Sequence, residues 1–154
     1  MAVTVRPLEA GDRAQWEPLW QAYLTFYRSE VSAEVTETLW QRLLTPGEGH
    51  DGFCACDADG RLIGITHYLL HASTWSINGY CYLEDLYVDA NARSSGAGRA
   101  LIKAVGDDSA KRGATRLYLH TEETNARARG LYNKVMTLSD FVQYRLALDG
   151  TPLD

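Results

Sequence analysis

The run from Tyr80 to Val88 is the feature that most constrains the fold of this chain. It reads Tyr-Cys-Tyr-Leu-Glu-Asp-Leu-Tyr-Val, and apolar or aromatic residues occupy both of its alternating faces. A strand of this kind is expected inside a sheet that is covered on two sides. A glycine-bearing loop from Arg93 to Gly98 and an amphipathic stretch over 97–112 follow it. We therefore predict a central strand, a tight loop and a helix as the nucleus of the fold.

The flanking patterns predict an α+β architecture in which residues 1–150 form one domain and 151–154 a tail. The other predicted elements are a strand at 3–5, a helix from residue 12, a helix over 32–44, strands over 52–57 and 61–70, a strand over 116–120, a helix over 125–134 and a last strand over 141–148. The second helix is expected to bury Val35, Leu39 and Leu43. Asn78-Gly79 is expected to form the hairpin turn before the central strand.

Composition excludes several classes of protein. Of 154 residues, 45% are hydrophobic and 23% charged, which is enough apolar material for a core. No apolar run approaches the ~20 residues of a membrane-spanning helix, and we expect no export signal, so the cytoplasm is the expected compartment. The formal net charge of −5 makes nucleic acid an unexpected partner and suits a cationic small molecule or basic peptide.

The cysteines and histidines do not form a metal-binding pattern. Cys54, Cys56 and Cys81 are an odd set without zinc-site spacing, so we expect reduced, structural thiols. His67 and His71 are four residues apart, which would suit a metal pair on a helix. Their surroundings indicate a strand instead, and we predict no metal site.

The loop after the central strand carries the strongest chemical signal. Gly96 and Gly98 allow a sharp turn and a close approach of the backbone to a ligand. The main-chain N–H groups there, at the start of a helix, favour an anion such as a pyrophosphate, and Arg93 and Arg99 add positive charge. A Walker loop would need Lys-Ser/Thr after Gly98, and a dinucleotide fingerprint would need a third small residue where Leu101 stands.

Arg-x-x-Gly-x-Gly between a central strand and a helix resembles the coenzyme A loop of the GCN5-related N-acetyltransferases (GNAT). The strand at 82–88 is similar to the form in diamine (spermidine/spermine-type) members and related histone-acetyltransferase-like members. Residues 121–134 and 141–145 resemble the second coenzyme-contacting segment and the closing strand of the family. The resemblance implies a mostly antiparallel sheet of six to seven strands, about four helices, coenzyme A binding and a homodimer. Many relatives have glycine where this chain has Ser94.

The resemblance also assigns a coenzyme site. Main-chain amides of Leu86 and Val88 would contact pantetheine and polarise the thioester carbonyl. The residues expected to bind coenzyme are Leu86, Tyr87, Val88, Arg93, Ser94, Ser95, Gly96, Ala97, Gly98, Arg99, Ala100, Asn125 and Ala128.

Catalytic and acceptor residues follow from the same resemblance. Tyr132, which helical spacing places on one face with Asn125, would protonate the departing thiolate. Glu84 would take a proton from the amine, directly or through water, since a partly desolvated carboxylate is a stronger base. Asp85, on the opposite face of the strand from Glu84, would either bind a second ammonium group of the acceptor or form a structural ion pair.

The sequence thus predicts an acetyl-CoA-dependent N-acetyltransferase in which a primary amine attacks the thioester directly in a ternary complex. Tyr27 and Glu30 are candidates for the acceptor site. A polyamine, another small amine or a protein lysine would serve as acceptor. A covalent intermediate on Cys81 is disfavoured because no histidine is paired with it in the pattern. A non-catalytic acyl-CoA-binding regulator and a dinucleotide-binding module stay open as alternatives.

Overall fold

The computed structural model describes residues 2–152, which divide after Glu122 into two compact units. The strands, all in the larger unit, are β1 (Thr4–Pro7), β2 (Asp51–Cys56), β3 (Leu62–Ser73), β4 (Ser76–Val88) and β5 (Leu117–Tyr118). The helices are α1 (Arg13–Phe26), α2 (Ala33–Leu43) and α3 (Ala97–Lys111) in the larger unit and α4 (Ala126–Val135) in the smaller. The α+β architecture with a strand–loop–helix unit at its centre agrees with the sequence pattern.

The five strands form one sheet in the order β1-β2-β3-β4-β5. The first three pairings are antiparallel and the last, between β4 and β5, is parallel. The sheet is therefore mixed, and it has fewer strands than the six to seven that the family resemblance implied. The strand expected over 116–120 is reduced to Leu117–Tyr118, because only these two residues pair with β4.

The expected closing strand is the other difference. Residues 141–148 lie outside regular secondary structure, and their apolar side chains are exposed, with Phe141 at 86% and Leu148 at 94%. A strand requires a neighbour for its main-chain hydrogen bonds. The described part of the smaller unit contains no other strand, so the alternating pattern there has nothing to pair with in that unit.

Helices cover both faces of the sheet. On one face, Trp16 of α1 and Trp40 of α2 pack with Cys54 and Ile65 of the sheet in the larger hydrophobic core. On the other face, α3 packs Leu101 into a second core with strand residues such as Ala55 and Ile63. The central strands are thus buried from two sides, as the apolar pattern of residues 80–88 predicts.

Helix α2 confirms its predicted face in part, because Leu39 and Leu43 pack against the core as expected and Val35 does not. Ser32 caps its N-terminus by accepting a hydrogen bond from the Val35 N–H at 3.2 Å. Thr36 and Trp40 face the core, whereas Val35 is 50% exposed. The large Trp40 ring packs against Trp16 at a centroid distance of 4.8 Å, and its burial goes with the exposure of Val35.

The β3–β4 hairpin also turns earlier than predicted. Ser73 pairs with Ser76, so residues 74–75 form the turn and Asn78-Gly79 lies within β4. Gly79 has φ +84°, and a Cβ atom there would collide with a carbonyl of β3. The glycine therefore permits an irregular pairing inside the ladder instead of closing the hairpin. Among residues 2–152, no helix is long and apolar enough to cross a bilayer.

Candidate active site

A β-bulge in β4 organises the candidate site. His67 of β3 pairs with Asp85, and the next β3 residue, Tyr68, pairs with Leu83. Glu84 is therefore an extra residue without a counterpart on β3. A bulge of this kind reverses the direction in which the following N–H groups point.

Two main-chain hydrogen bonds show this reversal. The Cys81 N–H donates at 2.8 Å to the carbonyl just before β5, whereas the Asp89 N–H donates at 2.8 Å to a β3 carbonyl. Both residues have odd numbers, so in a regular strand they would face the same neighbour. Since Asp89 faces β3, the N–H groups of Leu86 and Val88 point away from β3, toward the side on which β5 lies.

That side of β4 is open beyond residue 82. Within the described chain, β5 pairs with β4 only at Cys81–Leu117 and Tyr82–Tyr118. The two strands then part, and the edge that carries the Leu86 and Val88 N–H groups pairs with no strand. Unpaired main-chain donors at the end of a central strand are suited to binding a ligand carbonyl or amide.

The turn that precedes α3 offers a second group of main-chain donors. Gly96 has φ +88° and Ser94 has φ +68°, so the backbone folds back sharply before the helix. The N–H of Ala97 is capped by the Ser95 hydroxyl at 3.3 Å. The N–H groups of Gly96, Gly98 and Arg99 have no acceptor within the part of the chain that the structure describes.

This arrangement fits a pyrophosphate. A Cβ atom built on Gly96 meets no protein atom within 4 Å, so open space lies in front of the turn. The 15-residue helix α3 begins there and adds the positive end of its dipole. Arg99 is exposed beside the turn, whereas the Arg93 guanidinium lies 5.9 Å from the centroid of the Tyr87 ring. Positive charge at the turn therefore comes from the N-terminus of α3 and from Arg99, while the Arg93 guanidinium lies over the Tyr87 ring of β4.

Glu84 stands at the bulge with its side chain 43% exposed. Its Oε2 atom lies 3.3 Å from Nε2 of His50. The carboxylate is therefore only partly shielded from water. Glu84 is accessible to an amine and has an imidazole as neighbour.

Asp85 contacts a buried chain of side chains that the sequence patterns did not reveal. Its Oδ2 atom lies 2.9 Å from Nδ1 of His67, and Nε2 of His67 accepts a hydrogen bond from Trp16 at 2.9 Å. Trp16 and His67 are 0% exposed. Burial, together with the nearby Asp85 carboxylate, raises the pKa of Tyr23 well above its usual range.

The other acceptor candidates lie at the end of α1. Tyr27 caps the helix C-terminus and packs edge-to-face against Tyr23, with ring centroids 5.1 Å apart. Glu30 follows in the connection to α2 and is exposed. An aromatic ring and a carboxylate thus occur in this connection, and their role at the acceptor site stays a prediction.

The smaller unit contains the remaining predicted residues. Asn125 precedes α4 and caps it, with Oδ1 accepting a hydrogen bond from the Ala128 N–H at 3.3 Å. The Ala128 N–H is therefore already used. The helix predicted over 125–134 begins one residue later, at Ala126. Tyr132 lies in α4 and is half-buried, and its carbonyl accepts from the Met136 N–H at 2.7 Å.

The cysteines and histidines have structural partners. All three cysteines are free and buried. Burial raises the pKa of the Cys81 thiol, which disfavours the thiolate that a nucleophile needs. Nε2 of His71 contacts the Tyr118 hydroxyl at 2.7 Å, so His71 and His67 have different partners. Residues 2–152 contain no group of three or more His, Cys, Asp or Glu side chains placed to hold a metal ion.

Comparison with known proteins agrees with this geometry. Residues 16–137 match the acetyltransferase (GNAT) family model. The chain is 35% identical over 144 residues to the D-amino-acid N-acetyltransferase HPA3 of Saccharomyces cerevisiae, covering 93% of this chain and 89% of that protein. It is 32% identical over 133 residues to the uncharacterized N-acetyltransferase YhfO of Bacillus subtilis, covering 86% and 87%.

Solved structures share the fold at low sequence identity. The aminoglycoside acetyltransferase AAC(6')-Iy, in complex with a bisubstrate analog, has a TM-score of 0.81 at 16% identity and is covered over 99% of its chain and 96% of this one. The ribosomal-protein-alanine N-acetyltransferase of Brucella melitensis biovar Abortus 2308 has a TM-score of 0.79 at 20% identity, with 100% and 96% covered. With the family match spanning most of its length and two relatives above 30% identity, the chain belongs to the acetyltransferase (GNAT) family and is an N-acetyltransferase.

Proposed function

We propose that this enzyme transfers the acetyl group of acetyl-CoA to a primary amine by direct attack within a ternary complex. The observation that carries the proposal is the coincidence of two sets of main-chain donors. One set lies on the open edge of β4 at Leu86 and Val88, and the other lies in the turn at Gly96, Gly98 and Arg99. A thioester arm and a pyrophosphate are the groups that need donors at such places.

Glu84 is proposed as the group that takes the proton from the attacking amine, directly or through water. Its exposed carboxylate lies at the bulge, two residues before the first open-edge amide at Leu86. The amide N–H groups of Leu86 and Val88 would stabilise negative charge on the thioester oxygen during attack. Direct attack is favoured because the one cysteine of β4, Cys81, is buried with a raised thiol pKa.

Tyr132 is proposed as the acid that protonates the departing sulfur. A phenol can donate a proton to a thiolate, whose conjugate acid has a pKa of about 8.5. Asn125 and Ala128 are proposed to contact coenzyme from the start of α4. Replacing Tyr132 by phenylalanine is expected to lower kcat about 100-fold or more, with coenzyme affinity unchanged. Equal turnover in the Phe variant would remove Tyr132 from the mechanism.

The acceptor is proposed to carry positive charge near the reacting amine. Asp85, Tyr27 and Glu30 supply anionic and aromatic groups on the side of α1, which suits a polyamine, another small amine or a protein lysine. The yeast relative acetylates D-amino acids according to its name, so an amino acid belongs in the same test.

The test is release of coenzyme A thiol from acetyl-CoA in the presence of spermidine, a lysine-containing peptide and D-phenylalanine, measured separately. Turnover with any of them supports the proposal, and its dependence on acceptor identity ranks the classes. Calorimetry with coenzyme A is run in parallel. Binding of coenzyme without turnover over a broad amine panel would instead favour the regulatory alternative.

A single domain acting in the cytoplasm as a homodimer is also proposed. Five side chains in the irregular C-terminal segment are at least 60% exposed: Phe141, Val142, Tyr144, Leu146 and Leu148. Contact with a second copy would remove this apolar surface from water. Light scattering after size exclusion should give a mass twice the chain mass of 17.2 kDa. Replacing both Leu146 and Leu148 by aspartate should reduce the measured mass to that of one chain.

A further inference from the structure

Trp16, His67 and Asp85 form a series of hydrogen-bonded side chains, and the proposed reaction gives no role to Trp16 and His67. His67 lies on β3, and its partners are 51 residues away in α1 and 18 residues away in β4. The edge of the His67 ring packs on Trp20 at a centroid distance of 5.4 Å. The imidazole is 0% exposed, while the Asp85 side chain is 13% exposed. A buried, doubly hydrogen-bonded histidine thus leads to a carboxylate that reaches the surface next to Glu84.

The chemistry of the partners fixes the hydrogen on the His67 ring. An indole N–H can only donate, so Nε2 of His67 must be the acceptor of the Trp16 hydrogen bond. The ring hydrogen is then on Nδ1, which faces Asp85 Oδ2 at 2.9 Å. His67 therefore presents an N–H donor to the Asp85 side chain.

The same segment of β4 is held at two further points. The Thr66 hydroxyl donates to the Asp85 carbonyl at 2.8 Å, and the Tyr23 hydroxyl donates to the Glu84 carbonyl at 3.4 Å. These contacts fix the main chain of the bulge. The His67 N–H holds the Asp85 carboxylate from the buried side, and the Tyr23 hydroxyl also interacts with this carboxylate. A carboxylate oriented by a buried, rigid donor loses few rotamer states when it binds a ligand.

We propose that His67, set in its tautomer by Trp16, is a positioning residue that orients the Asp85 carboxylate for recognition of the cationic amine acceptor. This inference rests on the proposed acetyl transfer and extends it to a residue outside the acceptor site. His67 itself touches neither substrate. Its effect should therefore appear in the kinetics of the acceptor and not in the affinity for coenzyme A.

Two variants of His67 separate the donor to Asp85 from the contact with Trp16. In His67→Asn, the side-chain amide nitrogen can occupy the place of Nδ1 and still donate to Asp85. In His67→Gln, the amide oxygen can reach the place of Nε2 and accept from Trp16, but no donor faces Asp85. We expect His67→Gln to lower kcat/KM for the best amine of the panel at least about tenfold at saturating acetyl-CoA, and His67→Asn to lower it less than about threefold.

A double-mutant cycle with Asp85→Asn makes the test specific. If His67 acts through Asp85, His67→Gln should cause little further loss of acceptor kcat/KM in the Asp85→Asn background. The affinity for coenzyme A, measured by calorimetry, should stay within about twofold in every variant. Equal losses in the Asn and Gln variants, additive losses in the cycle, or a parallel loss of coenzyme affinity would each overturn the proposal.

An NMR measurement on ¹⁵N-histidine protein tests the tautomer without any turnover. The wild type should show His67 with hydrogen on Nδ1 only, and Trp16→Phe should remove this preference. Hydrogen on Nε2 in the folded wild type would refute the positioning role. Failure of all amines to react would refute the proposed transfer and the acceptor role with it, while the NMR result would still show whether Trp16 sets the tautomer.

Discussion

Replacing Gly96 by alanine is expected to weaken coenzyme A binding far more than it weakens the fold. Gly96 has φ +88°, and a Cβ atom there would meet no protein atom within 4 Å. The cost to folding is therefore the left-handed backbone penalty of about 1–2 kcal/mol. The lower entropy of alanine in the unfolded chain offsets about 0.5–1 kcal/mol of it. The net loss in unfolding free energy should be about 0.5–1 kcal/mol.

Gly60 provides a matched control. It has φ +81°, also meets no atom within 4 Å, and lies in the β2–β3 turn. Gly60→Ala should therefore cost the same 0.5–1 kcal/mol, roughly, in urea unfolding. Only Gly96→Ala places a methyl group in the proposed pyrophosphate space, and its dissociation constant for coenzyme A should rise at least about tenfold, or 1.4 kcal/mol.

Ser94 allows the reverse change. With φ +68° it is a non-glycine residue in the left-handed region. Ser94→Gly should therefore raise the unfolding free energy by about 0.5–1 kcal/mol. The reasoning fails if Gly96→Ala and Gly60→Ala bind coenzyme A equally well in calorimetry, or if Ser94→Gly is less stable than the wild type.

Three further predictions concern stability and thiol chemistry. Asp12→Asn should lower the unfolding free energy by about 2–3 kcal/mol at pH 7, because the buried Asp12 accepts two hydrogen bonds from Arg6. The hydrogen bonds from Arg6 lower the pKa of Asp12 in the folded state. The stability that Asp12 contributes is therefore complete above its unfolded pKa of about 3.9 and is lost as the pH falls through its folded pKa. The urea midpoints of the wild type and the variant should converge in acid, and a difference that does not change with pH would contradict the assignment. Thr36→Val should lower the free energy of unfolding by about 1–3 kcal/mol, because the buried Trp20 N–H donates to the Thr36 hydroxyl at 3.1 Å and would lose its acceptor. Thermal or urea unfolding measures this, and a variant as stable as the wild type would show that the hydrogen bond contributes little. Burial raises the pKa of Cys54 to about 12, so Ellman's reagent should label this thiol only after unfolding, and rapid labelling of the native protein would contradict its burial.

The strand–loop–helix centre of the fold was predictable because its signals are local. An apolar run on both faces, two closely spaced glycines and a helical pattern occur within 33 consecutive residues from Tyr80 to Arg112, and each acts on its own neighbours. The turn at Gly96 and the start of α3 follow directly from them. The bulge at Glu84 is different, because it is defined by pairing with β3 and leaves no mark in the residue pattern.

The features that sequence reasoning missed depend on distant contacts. Leu39 and Leu43 of α2 pack against the core as predicted, but Val35 is exposed. The helical pattern alone does not show that Trp40 packs on Trp16 of another helix. The sequence pattern relates His67 only to His71, four residues away, whereas its hydrogen-bond partners lie 51 and 18 residues away. The closing strand over 141–148 is predicted from the apolar pattern and from the family resemblance, and neither supplies a neighbouring strand for its main-chain hydrogen bonds.

The open edge of β4 has an evolutionary consequence. Its proposed donors at Leu86 and Val88 are peptide groups, while the side chains of the same two residues pack against the core under α3. Any amino acid except proline supplies the same N–H. Substitutions at these two positions therefore affect the packing of the core and leave the hydrogen bonds to the ligand in place. Such a site can persist through extensive drift in sequence.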